Sequence, residues 1–414
     1  MTNTDTEKHM NWYYILIAAV CAAYAGVTLG IISNCAGVFL QPVAKGIQCG
    51  IGDLSLSITV MSLVTAFSCM LVTRLLKRFS LSALCIIGSI LCSVCCFMMA
   101  GFQSLWEFII AGMVLGFASS LFGIIPINIM LENWFHKGIG RITGIVLSAS
   151  GLISALMCPL FGRIIAAYSW RQAYIFMGIV ILAMALPGSF FVRLKPQELG
   201  MRPYGESDGS ELKKSVPSTA GNGTWKKKIF ITGAVTVFIA CVVGFGSHIS
   251  SIAVQAGADA EFSSLMMSFS MIGNVGSKLL LGVLCDRYGT VNSLILYTIV
   301  CITGIIELIL MLLGTLWMGT IGSLSFGFIY AIGSVGLPLI VAKMAGKEKF
   351  PEVFSKIQMV YSTLNAGMIT VHGMIYDAAG SYMPSLIITI GMLIMLIINL
   401  CMLIMMGLQV QAYA

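Results

Sequence analysis

The sequence predicts an all-α integral membrane protein with twelve transmembrane helices in two sets of six. Three observations lead there. Hydrophobic residues fill 58% of the 414 positions and charged residues only 9%, whereas a soluble domain carries about 25% charged residues. Apolar runs of about 20 residues, the length that crosses a bilayer as a helix, recur along the whole chain. Those runs fall into six before and six after one polar stretch, 193–228.

In order, the spans lie at 13–40, 54–75, 81–101, 107–131, 142–166 and 173–191, then at 229–255, 263–284, 291–313, 318–341, 357–375 and 383–406. An N-terminal six-helix bundle (1–192), a cytoplasmic linker (193–228) and a C-terminal six-helix bundle (229–414) follow from this count. The polar start MTNTDTEKHMNW precedes an apolar run far longer than a signal-peptide core, so the first span is read as retained. Pro196, Pro203, Pro217 and the cluster Lys226, Lys227 and Lys228 give the linker a composition that does not bury enough apolar area to fold. Topology explains the lysine cluster more simply than lipid binding. Trp12, Trp106, Trp134, Trp170, Trp225 and Trp317 all fall at span ends, where the membrane interface favours tryptophan.

The net charge of +7 is a matter of loops. Arg74, Lys77, Arg78, Lys137, Arg141, Arg287, Lys343, Lys347, Lys349 and the linker lysines occupy one side, against Lys45, Arg163 and Arg171 on the other. The positive-inside rule then places both termini in the cytoplasm of a cell-membrane protein, and no nucleic-acid surface is implied. Most of the 13 cysteines sit within apolar runs without metal-ligand spacing, which predicts free thiols. His9, His136, His248 and His372 lie in separate segments and no phosphate-cradling glycine loop is present. Neither an enzyme nor a cofactor or metal is expected. Energy would come from gradients.

The stretch 270–290 carries the sharpest functional signal. Lys278 lies eight residues before Asp286, which by helix rise puts its ammonium roughly 12 Å inside the water boundary. An ionisable group there costs several kcal/mol unless it meets a cavity or a partner; the alternative is a lysine whose stem snorkels to the headgroups. Asn274 is four residues away on the same helix face. Tyr361, Asn365 and His372 form a polar stripe on the eleventh span, lining a cavity or joining helices. His248 on the seventh span is a site residue or proton carrier. It lies roughly 30 Å from the cytoplasmic end, so unwinding near Gly244 and Gly246, or helix tilt, would be needed to bring it toward a ligand. Tyr330, Ser334, Asn34 and Asn128, the last just after Pro126, complete the inward-facing candidates, and Glu307 is expected to be protonated or interfacial. Gly26, Gly30, Gly37 and the run 148–151 suit close helix approach.

The loops TRLLKRFS at 73–80 and GVLCDRYG at 282–289 occupy equivalent places in the two halves, which suggests a duplicated six-helix unit. Gly282, Asp286, Arg287 and Gly289 match G-x-L-x-D-R-x-G, and here the chain resembles the major facilitator superfamily. The first copy is degenerate, with Lys77 in the aspartate position and Thr73 and Ser80 in the glycine positions. The resemblance implies gating by these loops: Asp286 as a latch facing the N-terminus of an eleventh helix that begins near Pro351, with Arg78 and Arg287 beside the two turns. Asn133 to Gly138, 148–151, Trp170 to Tyr174, 196–200 and Tyr376 to Tyr382 are further similar to the monocarboxylate and oxalate/formate porter branch. Members of that branch carry a cation in a G-R-x-x-x-G setting on the eighth helix, which Gly276, Lys278 and Gly282 resemble with lysine in that role. Lysine offers a point charge and no planar fork.

The resemblance implies a secondary active transporter that moves a small organic carboxylate by alternating access, as proton symport or anion exchange. Its partners would be the carboxylate, protons or a counter-anion, and membrane lipids, with the chain acting as a monomer. A rival is efflux of amphipathic drugs through a cavity rich in the 27 methionines. A rival of another class is a membrane sensor that binds a metabolite without moving it; the short linker and tails offer it no signalling domain.

Overall fold

A computed structural model describes residues 3–76, 78–135, 139–204 and 222–406. Apolar segments in a bilayer have no water to satisfy their backbone groups, and a helix closes those bonds locally. The described residues accordingly form helices and no strand. In chain order these are α1 (Asn3–Ala25), α2 (Ala36–Ile47), α3 (Ile51–Leu75), α4 (Leu81–Met99), α5 (Leu105–Ser120), α6 (Ile124–Trp134), α7 (Ile139–Ala167), α8 (Trp170–Phe191), α9 (Asn222–Phe245), α10 (Ile249–Gln255), α11 (Ala260–Tyr288), α12 (Thr290–Leu312), α13 (Met318–Phe326), α14 (Ile329–Ala331), α15 (Leu337–Ala379) and α16 (Met383–Met405). Ser80, Ser169 and Asp259 start α4, α8 and α11 by accepting hydrogen bonds from Ala83, Gln172 and Phe262 amides.

Among the described residues, 11 helices are long and apolar enough to cross a membrane. The twelfth expected span, 357–375, lies inside α15, which is helical for 43 residues. On a straight helix Leu337 and Ile357 would stand about 30 Å apart. Instead they share one core cluster with Val341 and Ala345, and Val353, Phe354 and Tyr361 pack against it. The helical chain therefore doubles back, and α15 supplies two limbs. The expected helix start near Pro351 is corrected: helical backbone runs through that position, and the side chains of 346–352 lie outside the described residues.

Four predicted spans are interrupted. A π-helical stretch, Gly26–Asn34, separates α1 from α2. Residues 121–123 separate α5 from α6, where Pro126 lacks the amide that would continue the helix. A 3-10 turn, Gly246–His248, separates α9 from α10, at the glycines where unwinding was one of two ways to bring His248 toward a ligand. The tenth span breaks into α13, α14 and a π-helical turn, Ile332–Gly336.

The chain divides into two compact units, one of Met1–Ala36, Val60–Met157 and Ala167–Leu212, the other of Gly37–Thr59, Cys158–Ala166 and Lys213–Ala414. In the first, a Cβ on Gly30 would lie 2.7 Å from the Ser150 carbonyl and Gly26 faces Ile153, so these glycines do permit close helix approach. The start of the linker is also folded here, against expectation. Trp134 Nε1 donates to Arg193 O at 3.0 Å, Asn133 Nδ2 to Leu194 O at 3.0 Å and Tyr204 N to Trp134 O at 2.8 Å. The rings of Tyr14, Trp134, Phe135 and Tyr204 supply the apolar area that the linker lacks. Residues 205–221 of the linker lie outside the described residues. Trp134 and Trp170 are buried in protein, while Trp12, Trp106 and Trp317 are exposed as interfacial residues should be.

In the second unit, glycines again set the helix crossings. Gly304 and Gly322 bring α12 against α13, and Gly273 and Gly327 bring α11 against the chain just past α13. Cys21, Cys85, Cys92, Cys95, Cys96, Cys241 and Cys301 are buried thiols.

Candidate functional site

Helix α11 is continuous for 29 residues and carries Ser270, Asn274 and Lys278 at four-residue intervals on one stripe. Asn274 is buried where α11 crosses the Gly327 backbone; a Cβ on Gly327 would lie 2.8 Å from its amide nitrogen. Its Nδ2 faces only Met271 Sδ at 3.8 Å, and its Oδ1 has no hydrogen-bond partner. Ser270 Oγ is likewise buried, within hydrogen-bonding reach of the Tyr330 phenol. Lys278 is half-buried and makes no ion pair or hydrogen bond among the described residues. Asn274 Oδ1 is thus a buried polar atom without a partner on the same stripe as Lys278, whereas buried polar atoms are almost always satisfied.

Tyr330 on α14, Tyr361 and Asn365 on the second limb of α15, and the break at Gly246–His248 form a second group. The Tyr330 phenol sits over Gly246, and the Tyr361 hydroxyl lies 2.8 Å from where a Cβ on Gly333 would stand. The two phenols are close enough to interact electrostatically. Asn365 has its carbonyl 2.9 Å from the Cβ position of Gly244 and a buried, unpartnered Oδ1. Only glycine at 244, 246 and 333 leaves room for this arrangement.

His248 is fully buried and both ring nitrogens are engaged. Nε2 lies 2.8 Å from Ile369 O and Nδ1 3.0 Å from Tyr382 Oη. A carbonyl only accepts, so Nε2 carries the proton and the neutral ring accepts from Tyr382 at Nδ1. The ring of His372 is 6.3 Å away. These rings belong to a column running Tyr330, Phe326, Phe245, His372, His248, Tyr382 and Tyr376, with successive centroids 6.3, 5.8, 5.2, 6.3, 5.5 and 4.3 Å apart. Sequence reasoning missed Phe245, Phe326 and Tyr382, because an aromatic in an apolar span carries no signal of its own.

Asn34 and Asn128 belong to the first unit. Asn34, at the end of the π-helical stretch, donates to Ser154 Oγ at 3.4 Å. Asn128 is half-buried on α6, two residues after Pro126. Ser334 is exposed and bonds back to the Tyr330 carbonyl at 2.7 Å. Glu307 is half-buried against Gly322, with Oε2 buried and unpartnered.

Of the gating residues, Gly289 has a φ of 82°, a conformation suited to glycine, and it ends α11 one residue before α12 begins. Gly282 faces open space, and Arg287 and Arg78 are exposed. Lys77, the segment 136–138 and the side chain of Asp286 lie outside the described residues. No group of three or more His, Cys, Asp or Glu able to hold a metal occurs among the described residues.

A multi-pass bundle with interrupted spans and inward polar residues is the architecture of a secondary transporter. Comparison with known proteins makes the class particular. The Major Facilitator Superfamily matches residues 15–368, and the chain belongs to that family. Among solved structures, the nucleoside transporter NupG is 10% identical with a TM-score of 0.70, covering 95% of this chain and 99% of its own. A bacterial homolog of the human lysosomal transporter Spinster, in an inward-facing and occupied conformation, is 13% identical with a TM-score of 0.63, covering 95% of this chain and 96% of its own. At these identities the likeness is one of fold. No curated protein matches the sequence.

Proposed function

We propose that this transporter carries a small organic carboxylate, as the monocarboxylate and oxalate/formate porters do, with Lys278 as the cation that receives it. The observation that carries this reading is Lys278 itself, half-buried on an apolar helix with no anionic partner among the described residues. Asn274 offers an unpartnered oxygen next along the stripe, and Tyr330, Tyr361 and Asn365 are the hydrogen-bonding groups of the second cluster. An arriving carboxylate neutralises the ammonium, which lowers the cost of closing helices around it. His248 and His372 are the groups able to take up a proton in a symport, and exchange against a second anion needs neither. Both termini lie in the cytoplasm of the cell membrane in this reading.

Uptake of labelled lactate, pyruvate, formate and oxalate by proteoliposomes, with and without an imposed pH gradient, tests it. A charge-assisted hydrogen bond contributes about 1.5–3 kcal/mol, so Lys278→Ala should raise KM roughly tenfold to a hundredfold for the accepted acid. Transport of no acid, or unchanged kinetics in a folded Lys278→Ala protein, makes Lys278 a snorkelling residue and rejects the proposal.

A further inference from the structure

The first two amides of α3 have no partner within their own helix. Both are bound by one distant side chain: Asp377, at the far end of α15, accepts from Ile51 N at Oδ1 (3.0 Å) and from Gly52 N at Oδ2 (2.7 Å). A carboxylate so placed also faces the positive end of the helix dipole. Beneath it the two helices run antiparallel with almost no side chain between them. A Cβ on Gly52 would stand 2.6 Å from Met374 N, and one on Gly373 would stand 2.7 Å from Gly52 Cα. Two turns further, Thr59 Oγ1 bonds to Ala366 O at 2.5 Å and to Thr370 Oγ1 at 2.7 Å. In the same unit, Arg163 at the end of α7 pairs with Glu261 in the first turn of α11 at 2.7 Å.

We propose that Asp377 is a gating residue: it latches α3 to α15 and holds that end of the transport path shut, releasing once per cycle. The proposal rests on the transporter reading above. The contact is built to part. Its cap is exposed, so on separation water can replace the carboxylate for the amides and the amides for the carboxylate. Its seam brings backbone against backbone at Gly52 and Gly373.

The test uses Ser55, buried on α3 under Gly373, as a reporter that needs no substrate. In reconstituted full-length protein, modification of Ser55→Cys by a soluble maleimide is followed by mass spectrometry of that peptide. Removing both hydrogen bonds with Asp377→Ala should raise the rate at least tenfold. Asp53→Asn removes a neighbouring charge and leaves the latch in place, so it should change the rate less than twofold. The hydroxyls of Thr59 and Thr370 are positioned for a disulfide as the Thr59→Cys/Thr370→Cys pair; oxidised, it should return the Asp377→Ala protein to slow labelling, which an unfolded protein cannot do. Equal labelling with and without Asp377, or fast labelling that survives the cross-link, overturns the latch. Neither result touches the carboxylate reading, which the uptake assay decides alone.

Discussion

The bond between Tyr382 and His248 can be weighed by removing one oxygen. Tyr382→Phe keeps the ring, and with it the stacking on Tyr376 at 4.3 Å and 22° and the contact with His248 at 5.5 Å. What goes is the donor to His248 Nδ1, which is left as a buried acceptor with no partner. That desolvation cost is about 1–3 kcal/mol. His248→Leu removes the other side, taking away the ring that the Tyr382 hydroxyl donates to and the donor that the Ile369 carbonyl accepts from, and should cost at least as much. In the double variant Tyr382→Phe/His248→Leu the shared bond is lost only once, so the losses should overlap by about 0.5–1.5 kcal/mol. Unfolding free energies of the four proteins in one detergent give that coupling directly. Losses that add to within about 0.3 kcal/mol would mean the two groups do not share a bond.

Three further outcomes follow from contacts at other levels. Gly30→Ala drives a Cβ to 2.7 Å from the Ser150 carbonyl, where backbone has to move. Such overpacking should cost about 1–3 kcal/mol, and a wild-type melting point for Gly30→Ala would contradict it. Trp134→Ala deletes the donor to Arg193 O and the platform under Tyr13, so limited proteolysis should cut within 193–204 faster than in the parent protein, and unchanged protection would show that the linker is held by other means. Cys49 lies between α2 and α3, and burial pushes its thiol up, with the Asp53 and Asp377 carboxylates adding to the shift. The thiolate is the reactive form, so Asp53→Asn should lower that pKa and move the pH–rate curve for Cys49 alkylation to lower pH; an unmoved curve removes Asp53 as a cause.

Much of the fold was legible because a bilayer dictates both helix length and apolarity. Gly244 and Gly246 marked one of the four breaks in advance, and Pro126 stands beside another. The doubling-back of α15 was not legible. Pro351 suggests a helix start, but a reversal made of helical turns leaves no composition signal. The folded start of the linker escaped for another reason. Its own residues are polar, and the surface it docks on belongs to Tyr14 and Trp134, far away in sequence. At the site, Lys278 and Asn274 stood out because a polar residue in an apolar span is costly. Asp377 did not, since its partners are two backbone amides 325 and 326 positions away, and a sequence does not show which amides a fold leaves unpaired.

The four interrupted spans are the first, fourth, seventh and tenth, so under a six-helix repeat the first matches the seventh and the fourth matches the tenth. This is firmer evidence for duplication than the loops at 73–80 and 282–289, where Lys77, Thr73 and Ser80 depart from the shared pattern, because each break in a bilayer leaves backbone groups that protein or a cavity has to satisfy. The breaks also sort the candidate residues. Asn34 and His248 lie in or at the end of broken segments and spend their hydrogen bonds on Ser154, Ile369 and Tyr382. Helix α11 closes its own backbone bonds without a break, so Asn274 and Lys278 have no such repair to make. A polar group that is costly to bury and holds nothing in place is one a ligand would satisfy; that is why the proposed function centres on Asn274 and Lys278, with Asn365 Oδ1 on α15 a further buried, unpartnered group.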